Sequence, residues 1–177
     1  MIGSKVSKRY AKALFSIGQE EGNFDRYGKE VQEFTQFCKN NKEFGQAIAN
    51  PIFAIEDRKR ILHSVLEGSG FSGLVKNFLN LLLDKNRIGD IETIASYYSR
   101  LTDEASNIAR AEIITAMPLR KEALEKLQQS LEGLTSKKIQ SEVREDQGLI
   151  GGIVVKIGDL VLDGSVKAQI EGLKQSF

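Results

Sequence analysis

The sequence is poor in the residues that build disulfides, metal sites and redox centres. It has one cysteine, one histidine, two prolines and no tryptophan among 177 residues. A single cysteine excludes a disulfide within the chain and suits a reducing compartment. A zinc site needs several cysteine, histidine or acidic ligands at fixed spacings, which Cys38 and His63 do not provide. We interpret both as structural residues and predict no metal and no cofactor.

The sequence also has almost no net charge and no long apolar run. The formal net charge is +1, so the composition gives no general attraction to nucleic acids or lipids. No run approaches the roughly 18 apolar residues of a membrane-spanning helix. What is present is 41% hydrophobic and 28% charged residues, which is typical of a globular protein with a buried core. We therefore expect no nucleic-acid partner.

Apolar residues recur at helical spacing over residues 1–108. In the first segment Val6, Tyr10, Leu14 and Ile17 follow one another three or four residues apart. Further segments with such a stripe lie at 27–38, 44–48, 55–67, 71–85 and 91–108. The loops between them are short, and this pattern predicts a six-helix bundle over residues 1–108.

The spacing of apolar residues changes near Ala109. The pattern predicts a strand over Ala111–Met117, a helix over Arg120–Leu134 and a one-sided strand in KKIQSEVRE. A β-hairpin follows, and a last helix is indicated by the stripe Val166, Ile170, Leu173 and Phe177. We predict a mainly α protein in which the N-terminal bundle is followed by a small α+β domain over residues 109–177.

The stretch GLIGGIVVKIGDLVLDGSV, Gly148–Val166, is rich in glycine and raises two alternatives, a phosphate-binding loop or a hairpin. A phosphate-binding loop ends in Gly-Lys-Ser or Gly-Lys-Thr and enters a helix, whereas this stretch enters the apolar run IVVKI. Gly-Asp after that run has the composition of a two-residue hairpin turn, and a serine is placed to cap the last helix. We predict a structural hairpin with the turn residues Gly151, Gly152, Gly158, Asp159, Asp163, Gly164 and Ser165.

The stretch GSGFSG, Gly68–Gly73, matches the dinucleotide-binding pattern G-x-G-x-x-G. That pattern works between a strand and a helix, where the glycines let the backbone approach a pyrophosphate. The preceding RKRILHSVLE has helical period, so we interpret the glycines as a turn between two helices. An enzyme that binds a nucleotide here is the weakest hypothesis, and we predict no catalytic residue.

The fifth predicted helix has more apolar residues than one buried face requires. They are Leu74, Val75, Phe78, Leu79, Leu81, Leu82 and Leu83. Either this helix is central and buried all round, or part of its surface receives a helix of another protein. The first helix has the small Ala13 beside Leu14 and Phe15, and a small side chain lets a partner helix approach closely. The residues alone favour neither interpretation over the other.

Four stretches carry a resemblance to a known family. They are YAKALF at Tyr10–Phe15, NPIF at Asn50–Phe53 with Arg58 and Lys59 beyond it, LLLDKNRI at Leu81–Ile88, and GLIGGIVVKIGDLVLDGSVKAQIEGL from Gly148 onward. Together they resemble the delta-subunit family of bacterial F-type ATP synthases, which includes the mitochondrial oligomycin-sensitivity-conferring protein. The resemblance covers the whole chain and departs at Gly148, where many relatives carry a larger polar residue. The chain begins at the first helix, without an extension for import into an organelle, which favours a bacterial source.

The resemblance implies a non-catalytic subunit of the peripheral stalk, on the cytoplasmic face of the bacterial plasma membrane, that meets the membrane only through the complex. It implies that the bundle binds the N-terminal helix of an alpha subunit and that the C-terminal domain binds the distal end of the b subunit. A groove between the first and fifth helices is then expected. We place the head-binding site at Tyr10, Ala13, Ile17, Leu74, Phe78 and Leu81. The alternative is a stand-alone helical adaptor that binds another amphipathic helix.

Overall fold

The computed structural model describes residues 5–146, 148–168 and 170. The chain divides into two compact units, one up to Thr102 and one from Asp103 onward. The boundary expected from the sequence, between residues 108 and 109, lies a few residues later. Within the second unit, both carboxylate oxygens of Asp103 accept hydrogen bonds from the guanidinium of Arg110, at 2.6 and 3.0 Å.

The first unit is helical throughout its described part. Its elements are α1 (Lys5–Glu20), α2 (Phe24–Asn40), α3 (Lys42–Ala49), α4 (Ile55–Gly68), α5 (Gly73–Asp84), a 3-10 turn (Ile88–Asp90) and α6 (Ile91–Ala105), whose last residues join the second unit. α3 ends at Ala49, just before Asn50 and Pro51, since a residue that precedes proline is driven to extended backbone. α5 begins after Ser72, whose hydroxyl accepts a hydrogen bond from the Val75 amide at 3.4 Å.

The prediction that the sixth helix reaches Ile108 is wrong. α6 ends at Ala105, and Ile108 begins the first strand. The reason lies in Asn107, whose φ of +54° places it in the left-handed region that ends helices. Ile108 fits the helical stripe by spacing alone, so apolar periodicity could not locate this stop.

The inward stripes of these helices form one hydrophobic core. Its largest fully buried side chains are Tyr98, Phe34, Leu14, Ile48, Leu62, Leu66, Leu79, Leu82, Leu83, Ile88 and Ile94. The Tyr98 hydroxyl donates to the carbonyl of Phe24 at 2.9 Å and so ties α6 to the start of α2. Burial raises the pKa of Tyr98, which keeps this hydroxyl protonated and able to donate.

Two buried charged side chains, which sequence analysis missed, link helices in the first unit. Arg58 on α4 donates from Nε to the carbonyl of Ile48 at 2.8 Å and from its terminal nitrogen to Oδ1 of Asn86 at 3.0 Å. Glu30 on α2 accepts from the backbone amide and the hydroxyl of Ser72, at 2.9 and 2.6 Å, just before α5. A buried charge is costly unless it is hydrogen-bonded, and both of these are.

The described part of the second unit is built around a small sheet with a helix packed against it. Its described elements are β1 (Ile108–Thr115), α7 (Lys121–Thr135), β2 (Lys138–Glu145), β3 (Ile153–Ile157) and β4 (Leu160–Asp163). The strand order is β2-β1-β3-β4, with β1 and β2 parallel and the other two pairs antiparallel. A core of Ala111, Ile113, Leu131, Ile139 and Val155 lies between α7 and the sheet.

Most of the sequence prediction for this unit agrees with the structure. The first strand begins three residues before the predicted Ala111 and ends two before the predicted Met117, and the helix is displaced by one residue at each end. Val166–Ala168 and Ile170 are helical, whereas Leu173 and Phe177 of the predicted last helix lie outside the described residues. The protein is mainly helical, with a small four-stranded sheet in its C-terminal part.

Candidate functional site

The first unit carries an apolar groove between α1 and α5. The groove encloses about 390 Å³. Its lining residues are Arg9, Tyr10, Ala13, Leu14, Ile17, Leu74, Asn77, Phe78 and Leu81. All six residues of the head-binding site expected from the sequence lie in this lining, so the structure brings them together. Sequence analysis did not assign Arg9 and Asn77 to the groove, because a search for apolar spacing passes over polar residues at its edge.

Helical geometry explains how these residues meet. Residues three or four positions apart lie on one face of a helix, as do 10, 13 and 17 on α1 and 74, 78 and 81 on α5. Leu14 and Phe78, exposed by 2% and 8%, lie deepest. Ile17 and Leu81, exposed by 39% and 43%, line the outer part. The groove is therefore formed in the free chain, with its outer side chains exposed to solvent.

Aromatic contact and one small side chain shape the groove. The rings of Tyr10 and Phe78 lie edge to face, with centroids 6.5 Å apart and planes at 68°. Ala13 is exposed and adds only a methyl group to the wall beside Tyr10. A helix backbone can therefore approach α1 closely at Ala13, while larger side chains on either side make contact.

The structure excludes one of the two interpretations of the fifth helix, that it is buried all round. Val75, Leu79, Leu82 and Leu83 are fully buried, whereas Leu81 is exposed and Leu74 is half-buried. α5 is therefore not buried all round. One of its faces packs in the core and the adjoining one lines the groove, which accounts for the surplus of leucine in its sequence.

The groove has one charged lining residue among those that the structure describes, Arg9. The neighbouring Lys8 holds its ammonium group 5.6 Å from the ring centre of Tyr97, a cation–π contact with α6. Arg9 thus supplies a positive charge at the edge of an otherwise apolar surface. The rest of the described lining is apolar apart from the Tyr10 phenol and the Asn77 amide, which suits the binding of an apolar surface.

The glycine-rich stretch of the second unit contains two tight turns. Gly158 and Asp159 form the two-residue connection between β3 and β4, and Gly158 has a φ of +57°. Gly152 has a φ of +90°, and a Cβ there would lie 2.4 Å from the carbonyl oxygen of Gly164. Only glycine fits such an approach of two backbone segments.

Hydrogen bonds hold these two segments together. The amide of Val166 donates to the carbonyl of Gly151 at 3.0 Å, and the amide of Gly164 donates to the carbonyl of Ile153 at 2.9 Å. Asp163 accepts from the Ser165 amide at 2.9 Å, and this backbone bond holds the pKa of Asp163 below its usual value. The Ser165 hydroxyl accepts from the Ala168 amide at 3.1 Å, which caps the helical turn that follows. Each of these groups is engaged within the turn itself.

The stretch GSGFSG joins two helices. Gly68 is the last residue of α4 and Gly73 is the first of α5. A dinucleotide-binding loop lies between a strand and a helix, so this segment lacks the surroundings that make the motif work. Among the described residues there is also no group of three or more histidine, cysteine, aspartate or glutamate side chains that could hold a metal.

The second unit exposes apolar side chains on its edge strand β4 and just before β3. On the edge strand β4, Leu160, Val161 and Leu162 are 43%, 55% and 36% exposed, and Ile150 before β3 is 77% exposed. Consecutive exposed apolar residues on a short edge strand are uncommon unless another chain covers them. This surface is the second candidate for contact with a partner.

No helix within the described residues is long and apolar enough to cross a membrane.

Comparison with known proteins then gives a consistent picture. The family model for the ATP synthase delta (OSCP) subunit matches residues 6–177. The chain is 45% identical over 177 residues to ATP synthase subunit delta of Desulfatibacillum aliphaticivorans, an alignment that covers 100% of this chain and 97% of the relative. It is 43% identical to the subunit of that name from Desulforapulum autotrophicum, again covering 100% and 97%.

Solved structures with a similar fold come from ATP synthase complexes. A chain of the Toxoplasma gondii mitochondrial ATP synthase hexamer matches with a TM-score of 0.73 and 16% identity, over 98% of this chain and 97% of that one. A chain of the Polytomella F-ATP synthase matches with a TM-score of 0.52 and 24% identity, over 58% of this chain and 90% of that one. At these identities the likeness concerns the fold.

Proposed function

Because the chain belongs to the ATP synthase delta (OSCP) subunit family, we propose that the groove between α1 and α5 is the site where this stator subunit holds the catalytic head. The subunit is non-catalytic and acts within the stator of F-type ATP synthase. The proposed occupant is the N-terminal helix of an alpha subunit. The finding that carries the proposal is the apolar groove itself, which is already open in the free chain.

A helix in this groove would use the geometry of helix-in-groove recognition. Its apolar residues at i, i+3 or i+4, and i+7 would enter the groove, with the backbone closest at Ala13. Leu81 and Ile17, which are partly exposed in the free protein, would lose water on binding. Each apolar side chain that becomes buried favours association by about 1–2 kcal/mol, so a few anchors suffice for a firm contact.

We assign the second partner, the distal end of the b subunit, to the C-terminal unit. The support is the exposed apolar surface of β4 and Ile150. In the proposed division of roles the helical unit up to Thr102 binds the head and the unit from Asp103 onward binds the stalk, in place of the expected ranges 1–108 and 109–177. A chain that binds the head through its first unit and the stalk through its second prevents the head from turning with the rotor, so that proton flow and ATP synthesis stay coupled. In a bacterium this places the subunit on the cytoplasmic face of the plasma membrane.

Substitution of Ala13 with aspartate tests the groove. In the free protein the new carboxylate can remain in water, so folding should lose only the lower helix propensity of aspartate, about 0.5 kcal/mol. Under a bound helix the same charge would be desolvated without a partner. We expect Ala13→Asp to bind delta-depleted heads at least about tenfold more weakly, which corresponds to about 1.4 kcal/mol. A second readout is whether the variant, added with delta-depleted heads to stripped membranes, restores proton-coupled ATP hydrolysis.

Two variants control this experiment. Gln19→Glu adds the same charge to the exposed surface of α1 outside the groove lining, and it should bind normally. Leu14→Asp places a charge in the core and should unfold the first unit. If Ala13→Asp folds and binds like the wild type, the head contact lies elsewhere. If it unfolds the first unit, position 13 has been assigned to the wrong face.

The stand-alone adaptor hypothesis makes a different prediction. A free adaptor would bind its partner helix with no effect on coupling in reconstituted membranes. The family membership gives that alternative no support, and the reconstitution experiment separates the two directly.

A further inference from the structure

We infer that Arg9 makes the groove specific for a partner helix that carries a carboxylate beside its apolar stripe; this inference rests on the proposed function. An apolar trough alone accepts many amphipathic helices, because apolar contact has little directional preference. Discrimination needs a polar element at the edge of the contact. Arg9 is the one charged side chain in the described lining.

The position of Arg9 suits that role. It precedes Tyr10 on α1 and lies one turn before Ala13, where the partner backbone is expected to approach most closely. Its side chain is exposed, and within residues 5–146, 148–168 and 170 it forms neither an ion pair nor a hydrogen bond. By contrast, Arg26 is bound to Glu30, and Arg110 is bound to Asp103. The guanidinium of Arg9 is therefore available to a group from outside the described chain.

Two neutral groups at the groove add to the complementarity. The hydroxyl of Tyr10 and the amide of Asn77 also make no hydrogen bond among the described residues. All three groups can donate hydrogen bonds. A carboxylate accepts several such bonds at once and is the side chain that matches a guanidinium in charge and geometry.

The charge of α1 as a whole points the same way. Lys5, Lys8, Arg9 and Lys12 all precede its first acidic residue, Glu20. An acidic helix would be attracted to this half of the groove, and a helix with a basic flank would meet like charge there. Arg9 would then act by favouring the correct partner and also by opposing the wrong one.

Peptide binding to the full chain tests the inference. The probe is the N-terminal segment of the alpha subunit from the same organism, made in its native form and with every aspartate and glutamate replaced by the corresponding amide. At low salt, Arg9→Gln should bind the native peptide about three- to tenfold more weakly than the wild type does. The difference should shrink in high salt because exposed ion pairs are screened. Arg9→Lys should retain most of the affinity.

The amide peptide and a neighbouring lysine supply the controls. The amide peptide should bind the wild type and Arg9→Gln equally. Because each peptide is compared on both proteins, any change in the helicity of the peptide itself cancels. Lys12→Gln removes an exposed charge on the same helix outside the groove lining, so it should weaken binding of the native peptide clearly less than Arg9→Gln does.

Failure of this inference can be told apart from failure of the proposed function. If Arg9→Gln binds the native peptide like the wild type while Ala13→Asp does not bind it, Arg9 is not the selecting residue, although the groove is the site. The same conclusion follows if the alpha segment carries no acidic residue beside its apolar stripe. If Ala13→Asp also binds normally, or if the wild type binds neither peptide, the proposed function is wrong.

Discussion

Replacement of Gly152 with alanine should strongly destabilise the second unit and leave the first unchanged. A Cβ at Gly152 would lie 2.4 Å from the carbonyl oxygen of Gly164 and 2.8 Å from the Cα of Ser165. Both neighbours are backbone atoms of a segment held by hydrogen bonds to Gly151 and Ile153. Relief of the contact would therefore break at least one of those bonds.

The size of the effect follows from three terms. A left-handed backbone costs a residue with a Cβ about 1–2 kcal/mol, and forcing backbone apart in a packed region costs about 1–3 kcal/mol more. With a broken hydrogen bond the loss reaches about 3–5 kcal/mol. A domain of this size is stable by about 4–11 kcal/mol, so the substitution removes a large part of its stability.

Hydrogen exchange of the full chain measures the two units separately. Peptides from β1–β4 should lose protection in Gly152→Ala, and peptides from α1–α5 should not. Gly158→Ala provides a matched control, since its φ is also positive but, its chain neighbours aside, no atom of the described residues lies within 4 Å of its Cβ position. It should cost only about 1–2 kcal/mol. The reasoning is refuted if Gly152→Ala keeps its protection, or if Gly158→Ala is as damaging.

Three further predictions concern buried and hydrogen-bonded groups. Arg58→Met should lower the free energy of unfolding of the first unit by about 2–4 kcal/mol, because it leaves two acceptors unpaired. Lys59→Met, which breaks only an exposed pair with Asp84, should cost less than about 1 kcal/mol in the same denaturant titration. Asp163→Asn should destabilise the second unit at neutral pH. The pKa of Asp163 in the folded protein is lower than its ordinary value of 3.8, so the extra stability of the wild type over Asp163→Asn should be lost as the pH falls from 3.8 through the folded pKa. A stability difference that does not change with pH would contradict this. Burial raises the pKa of Cys38 to about 11, so its reaction with a thiol reagent at pH 8 should be at least about tenfold slower in the native chain than in denaturant.

Apolar spacing was sufficient to predict where the helices lie, apart from the end of α6, and to predict the two stripes of the groove, for a physical reason. A groove between two helices is made by a stripe on each, and the surplus of leucine on α5 is visible in the sequence itself. The stripe on α1 places Tyr10, Ala13 and Ile17 on one face by the same rule. Whether the two stripes adjoin is a tertiary question, and the family resemblance, not the spacing, favoured that arrangement.

The buried contacts of Glu30 and Arg58 could not be predicted, because they too depend on tertiary structure. Ser72 lies 42 residues from Glu30, and Asn86 lies 28 residues from Arg58, so no local pattern joins either pair. In the sequence Arg58 is one member of the charged run EDRKR and resembles its exposed neighbours. Its burial is set by where α3 and the turn after α5 meet α4. Ile108 shows the opposite failure, because a residue that fits a helical stripe belongs to a strand once Asn107 has turned the chain.

A stator contact must persist through many turns of the rotor, so slow dissociation matters more than rapid binding. The groove proposed for this contact is already formed in the free chain. Its deepest residues, Leu14 and Phe78, are already packed in the core, and only its outer side chains, such as Ile17 and Leu81, remain to be covered. A preformed site loses little conformational entropy when it binds, so more of the apolar contact energy goes into affinity. Apolar burial would then supply the lifetime of the contact, while Arg9 at the edge would decide which helix is held.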